Sequence, residues 1–198
     1  MTERIVLGTA NPGKVVELRR ILQGVDAELV PAAELDRPVP EPEEHGATYE
    51  ENAVAKARAY AAASGFAAVA DDSGLEVDAL GGAPGVRSRR YFGDGVPAAE
   101  RNRMLLALLD GVAERAARFV AVIALARPDG TVETFDGECR GEIATAPSGA
   151  GGFGYDPVFV VGGDGRTMAE LDDDEKDRLS HRGLAAAKLR ARLTAEPR

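Results

Sequence analysis

Apolar residues along the 198-residue chain fall into short runs whose period changes between turn signals. Ile5, Val6, Leu7 and Gly8 read as a buried strand, followed by a tight turn from Thr9 to Gly13 built on Asn-Pro-Gly. From Lys14 the apolar positions Val15, Leu18, Ile21 and Leu22 share one helical face, and Gly24 marks the stop. Residues 38–46 carry too many prolines for regular structure and predict an exposed acidic loop. Thr48 and Glu51 have capping-box spacing, and Ala53, Ala57, Tyr60 and Ala61 predict a small-residue helical face that ends at Ser64-Gly65. The run 66–70 predicts a buried strand ending at Asp71, with Ser73-Gly74 as a turn.

Further along, residues 81–85 predict a long turn, after which Arg87, Arg89 and Arg90 follow. Pro97 suits the first turn of a helix carrying Met104, Leu105, Leu108 and Leu109. Residues 119–126 and 131–135 predict two strands of an antiparallel hairpin around Pro128-Asp129-Gly130. A glycine-rich loop at 149–157 leads into a strand at 158–161, and two helices at 170–179 and 180–193 meet near Ser180, a good N-cap. Strand–helix units combined with a hairpin predict an α/β domain with a mixed sheet. The length predicts a single domain over residues 1–198.

Composition narrows the function. A net charge of −9 argues against a nucleic-acid backbone binder, which needs a basic footprint, but leaves single nucleotides open. The lone Cys139 rules out an internal disulfide and a cysteine-rich zinc site. No signal-peptide core and no apolar stretch of spanning length is present, so a cytoplasmic protein with no membrane partner is expected.

Five groups of residues carry candidate chemistry. Asp71 and Asp72, followed by Ser73, close an apolar run of the kind whose carboxyl end holds ligands in open α/β sheets; adjacent carboxylates there suit Mg²⁺, which prefers oxygen ligands. Glu43 and Glu44 would complete a two-carboxylate site if their loop folds over Asp72, with Asn52 and Lys56 four apart on a helix facing the same place. Thr9, Ala10, Asn11, Pro12, Gly13 and Lys14 sit where a strand turns into a helix, a place for an anion as large as a triphosphate, although the pattern is no Walker A loop. Phe153, Gly154, Tyr155 and Asp156 combine aromatic faces with an acceptor, fit for stacking on a base, and Ser180, His181 and Arg182 open the last helix with Lys176 shortly before. No serine-hydrolase elbow is present, and Cys139 has no histidine placed to activate it.

Taken in order, Thr9-Asn11-Lys14-Glu17, Glu43-Glu44-Gly46, Glu51-Asn52-Ala53 with Lys56, Asp71 through Leu75, Leu80 through Gly85, Gly151 through Pro157 and Ser180-His181-Arg182-Gly183 resemble the inosine triphosphate pyrophosphatase family from residue 5 to about 190. The resemblance implies an elongated central mixed sheet flanked by helices, with two lobes around a nucleotide-binding cleft, Mg²⁺ dependence and a homodimer. It implies hydrolysis of ITP, dITP and XTP to the monophosphate and pyrophosphate. Carried over by position, Thr9 to Lys14 cradle the triphosphate, Glu43 and Asp72 hold Mg²⁺, Asp72 is the proton acceptor and Ser73 contacts substrate. Phe153, Gly154, Tyr155, Asp156, Lys176, His181 and Arg182 surround base and sugar and favour a 6-keto purine. Asp71 or a metal hydroxide could share the base role with Asp72, because a metal-bound carboxylate is a weaker base. His45 stands where the family more often has threonine, and Arg87 and Arg89 make their segment more basic than usual. A broader pyrophosphatase acting on modified pyrimidines, or a nucleotide sensor without turnover, are the competing readings. The hairpin between Phe119 and Phe135 is the expected part of a dimer surface.

Overall fold

The computed structural model describes residues 3–37 and 39–195; Pro38, the first residue of the expected proline-rich loop, lies outside them. Strands β1 (Glu3–Leu7), β2 (Ala27–Pro31), β3 (Ala67–Val77), β4 (Ala116–Ala126), β5 (Val132–Ile143) and β6 (Phe159–Val161) form one sheet. Its order is β2-β1-β3-β4-β5-β6. β1 is parallel to β2 and β3, whereas β5 and β6 are antiparallel, so the sheet is mixed as expected. β4 and β5 are neighbours joined by a tight turn in which the Arg127 N–H donates to the Thr131 carbonyl at 2.9 Å. The helices are α1 (Pro12–Ile21), α2 (Tyr49–Ser64), α3 (Ala98–Leu108), α4 (Asp173–Leu179) and α5 (His181–Thr194).

The chain divides into two compact units, and β3, β4 and β5 contribute residues to each. The first unit comprises Met1–Asp72, Ala121–Gly137 and Arg182–Arg198. Here the strand pleat sorts the core. Ala67 and Val69 of β3 join Ile5 and Leu7 against Leu18 and Leu22 of the α1 segment and Ala185, Ala186 and Leu189 of α5. Ala68 and Ala70 point the other way, with Val6, and pack on Ala53, Ala57, Tyr60 and Ala61 of α2. The alanine-rich face lets α2 lie close to the sheet. Gly8 allows the nearest approach, because a Cβ there would collide with the Tyr60 ring.

Local chemistry sets the ends of these helices. α1 begins at Pro12, two residues before Lys14, because Asn11 is its cap: Oδ1 accepts from the Gly13 N–H at 2.9 Å, and Pro12 has no N–H to satisfy. α2 opens on the expected capping box of Thr48 and Glu51 and closes on left-handed Gly65.

The second unit comprises Ser73–Val120 and Glu138–His181, around a core that includes Leu75, Val77, Leu105, Leu109, Phe119, Tyr155 and Phe159. β3 therefore does not end at Asp71. Ser73 and Gly74 form no turn; the strand runs on because Leu75 and Val77 continue the alternation and are buried in this second core. Pro97 is the N-cap residue of α3 rather than its first helical residue. α4 starts at Asp173, later than the predicted 170, because Asp172 and Glu175 close a capping box. Ser180 breaks the two last helices by taking an extended conformation.

Candidate active site

In the first unit, adjacency along β3 puts the Asp71 and Asp72 carboxylates on opposite faces of the sheet, so each makes its closest contacts with different side chains. β1 stops at Leu7, opposite Val69, and both aspartates lie just past that carboxyl end, where the Gly8 N–H donates to the Val69 carbonyl at 2.7 Å. Asp71 continues the α1 and α5 face. Its Oδ2 lies 3.0 Å from the Lys14 ammonium and 3.1 Å from the Arg182 guanidinium. Arg182 also donates to Glu17 Oε2 at 2.8 Å, and all three of Asp71, Arg182 and Glu17 are buried. Burial opposes a charge on Asp71, but Lys14, Arg182 and Lys56 overcome it and hold the carboxyl well below the usual range. Asp71 is thus a fixed anion and a poor base.

Asp72 continues the α2 face and has the opposite electrostatics. Burial is the largest influence and pushes its carboxyl up; Lys56 draws it down and Glu44 pushes it up again. Asn52 Nδ2 donates to Asp72 Oδ2 at 2.9 Å, while Asn52 Oδ1 accepts from the Gly46 N–H at 2.7 Å. One amide therefore ties the acidic loop and the carboxylate together. A Cβ on Gly46 would come within 2.6 Å of that amide oxygen, so only glycine permits the contact. Lys56, also buried, places its ammonium 2.6 Å from Glu44 Oε1 and 3.9 Å from Asp72 Oδ1.

The turn before α1 brings Thr9, Ala10, Asn11, Pro12, Gly13 and Lys14 to the same unit. Thr9 Oγ1 accepts from the Asn11 N–H at 3.1 Å, and the Asn11 cap uses its amide oxygen, leaving its NH₂ as a donor. Burial is the largest influence on Lys14 and lowers its ammonium, with Asp71 opposing and Arg182 and Lys56 adding to the lowering. An arriving anion would relieve that crowding of cations.

In the second unit the glycine-rich loop folds around Asp156. Its Oδ2 accepts from the Phe153 N–H at 2.8 Å and from the Lys176 ammonium at 2.7 Å, and that ammonium lies 5.0 Å from the centre of the Phe153 ring. Tyr155 is buried; its hydroxyl donates to the Ser88 carbonyl at 3.0 Å, and burial pushes the phenol up to about 12. His181 is buried with its ring stacked on Phe119, centroids 4.6 Å apart. Gly152 has φ +67°, and a Cβ there would collide with Asp156 Oδ2 and reach 3.0 Å from Lys176 Nζ. Gly152→Ala is expected to cost about 1–3 kcal/mol in urea unfolding, from the left-handed backbone, and to spread the Asp156–Lys176 pair.

The expected site residues thus have defined places. Phe153, Gly154, Tyr155, Asp156 and Lys176 come together on one loop and helix, with Tyr155 as a core anchor and Phe153 half exposed. Arg182 lies in the Asp71–Glu17 network. Ser73 follows Asp72 on β3 and is half buried. Glu43 is largely exposed and pairs with His45 at 2.9 Å, so Glu44 is the glutamate that the structure brings to Lys56 beside Asp72. No cluster of three acidic, histidine or cysteine side chains arranged for a metal occurs among the described residues. The donor set still fits a hard cation of Mg²⁺ type, which needs only one or two carboxylates when phosphates and waters complete its shell, since Glu44 and Asp72 already converge on one positive charge. Sequence reasoning gave Glu17 no role, although its place one turn after Lys14 on α1 was the available signal.

Residues 5–192 match the Ham1 family. The chain is 50% identical to a dITP/XTP pyrophosphatase of Symbiobacterium thermophilum, over 98% of this chain and 96% of that protein. Among solved structures, a HAM1 protein from Coxiella burnetii superposes with a TM-score of 0.89 at 42% identity, covering 98% of this chain and all of that one. A nucleoside-triphosphatase, dITP/XTP pyrophosphatase, from Mycobacterium abscessus gives a TM-score of 0.74 at 44% identity, over 94% and 98% of the two chains.

Proposed function

The chain belongs to the Ham1 family and is a nucleoside triphosphate pyrophosphatase, and from that premise we propose that it hydrolyses XTP, dITP and ITP to the monophosphate and pyrophosphate in a Mg²⁺-dependent reaction. It clears deaminated purines from the nucleotide pool as one catalytic domain of 198 residues. The observation that carries the reading is the division of labour between two neighbouring carboxyls: Asp71 held as a permanent counter-ion by Lys14 and Arg182, and Asp72 raised by burial and steadied by Asn52.

Lys14, with the Asn11 amide and the start of α1, receives the phosphates, because an ammonium already crowded by cations gains from an incoming anion. Asp72 takes the proton from the attacking water, its raised affinity for a proton matching that task. Asp72 with a glutamate of the Glu43–Glu44 pair would hold Mg²⁺, which would neutralise phosphate charge and lower the pKa of water in its shell. Phe153 offers a face to the base, and Tyr155, Asp156, Lys176 and His181 shape its surroundings; a donor such as Lys176 suits a 6-keto oxygen and disfavours adenine's amino group. Ser73 contacts substrate. Arg182 serves this reading through Asp71, whose charge it fixes.

The reading includes a homodimer working in the cytoplasm without nucleic-acid or membrane partners. A net charge of −9 supports the first exclusion, and no helix among the described residues is long and apolar enough to cross a membrane. The test is to incubate the protein with dITP, with Mg²⁺ or with EDTA, and to separate the products by anion exchange. Equal amounts of dIMP and pyrophosphate that disappear in EDTA are expected. Formation of dIDP and orthophosphate would refute the bond assignment, and tight binding without turnover would make the protein a sensor.

A further inference from the structure

Asn102 stands where α3 needs an aliphatic residue. With Leu105 and Leu109 it follows the 3.6-residue period of a core stripe, and its two companions are completely or almost completely buried. Asn102 itself is only 4% exposed. Its Nδ2 donates to the Gly154 carbonyl at 3.1 Å, and its Oδ1 is buried with no hydrogen-bond partner among the described residues. A half-satisfied buried amide is costly, and leucine has the same branched skeleton without that cost. Packing alone does not account for asparagine here, which leaves the Gly154 contact as the reason for the residue.

That contact reaches the centre of the glycine-rich loop. Gly154 has φ +66° and lies between Phe153 and Tyr155. Tyr155 is fixed by its hydroxyl on Ser88 and by the Arg101 guanidinium, 6.0 Å from its ring centre and one residue before Asn102. Phe153 is fixed at its N–H by Asp156. The Phe153 carbonyl accepts from the Asp156 N–H at 3.3 Å, and the Gly154 carbonyl, on the next peptide, ties the middle of the loop to α3 beside the half-exposed Phe153 ring and Lys176.

We propose that Asn102 is a positioning residue for base selection: by holding the Gly154 carbonyl it sets where the Phe153 ring stands, and so how well the loop tells a keto purine from an amino purine. The inference rests on the reading of this loop as the base site. It is tested with the full chain by measuring kcat and KM for dITP and dATP, together with the thermal midpoint, for the wild type, Asn102→Leu and Asn102→Asp. Leucine keeps the branched shape without the donor; aspartate keeps shape and volume but turns an oxygen toward the Gly154 carbonyl.

In both variants the preference for dITP over dATP is expected to fall about tenfold, the worth of one well-placed hydrogen bond in a closed site. The change appears mainly in KM for dITP, and the leucine variant still folds, the cost of its larger side chain set against the removal of an unsatisfied amide oxygen. An unaltered preference in Asn102→Leu overturns the inference, as does a parallel loss on both nucleotides that tracks a lower midpoint or a failure of both variants to fold. A wild type that does not distinguish dITP from dATP overturns the base-site reading and this inference with it.

Discussion

Replacing Asp72 by asparagine is expected to lower turnover of dITP by about 10²–10⁴-fold while nucleotide binding largely survives. The substitution keeps shape and volume and preserves an oxygen for the Asn52 amide, which now donates to Asp72 Oδ2 at 2.9 Å. What it removes is a proton acceptor with a raised pKa, whose elevation comes first from burial and then from Glu44 against the pull of Lys56. Steady-state turnover and equilibrium binding of dITP measured side by side separate the two properties. Unchanged turnover would remove Asp72 from the role of base, and loss of binding in step with turnover would make it a binding group alone.

Asp71→Asn is expected to act on stability instead, by about 3–5 kcal/mol at neutral pH, because it leaves the buried cations of Lys14 and Arg182 without their shared counter-ion. The sign of the pH dependence follows from the depressed carboxyl. Its ordinary value is 3.8, and in the folded chain Lys14, Arg182 and Lys56 outweigh burial and hold it lower. Such a group contributes stability that is fully present above the ordinary value and is lost as the pH falls through the folded one. Urea unfolding at pH 7 should therefore show the full gap between wild type and variant, and the gap should begin to close only below pH 3.8. A gap that is already closed at pH 5 would contradict the assignment of Asp71 as a fixed anion.

The two aspartates also show what a one-dimensional reading can and cannot see. Their position beyond an apolar run was legible, and so was the likelihood of cations nearby. Their separation onto opposite faces was not, because Ser73-Gly74 has the local signature of a stop, and only the burial of Leu75 and Val77 in a second core carries the strand through it. Neighbouring glutamates pose the same difficulty: Glu43 and Glu44 are equivalent in composition and spacing, and the choice between them depends on which one faces Lys56 across the loop. Helix ends were easier where the signal is local, as at Thr48 and Glu51. Asn102 showed only as a polar residue in register with an apolar stripe, and nothing local pointed to its partner, which lies 52 residues away.

Arg182 illustrates the same point for a charged side chain. Its place after Ser180 and His181 suggests company with the base, whereas its donors go to Asp71 and Glu17, 111 and 165 residues away in sequence. A buried guanidinium takes the carboxylates that can satisfy it, and both come from elements that α5 packs against.

The central claim is selective hydrolysis of deaminated purine triphosphates, and kcat/KM measured for XTP, dITP, ITP, GTP, ATP and TTP in Mg²⁺ with pyrophosphate as the product read tests it most directly. The account predicts XTP, dITP and ITP well above ATP and TTP, and the rate on GTP, which shares the 6-keto oxygen, reads the separate effect of a 2-amino group. Equal rates on all six, or a preference for TTP, would contradict it.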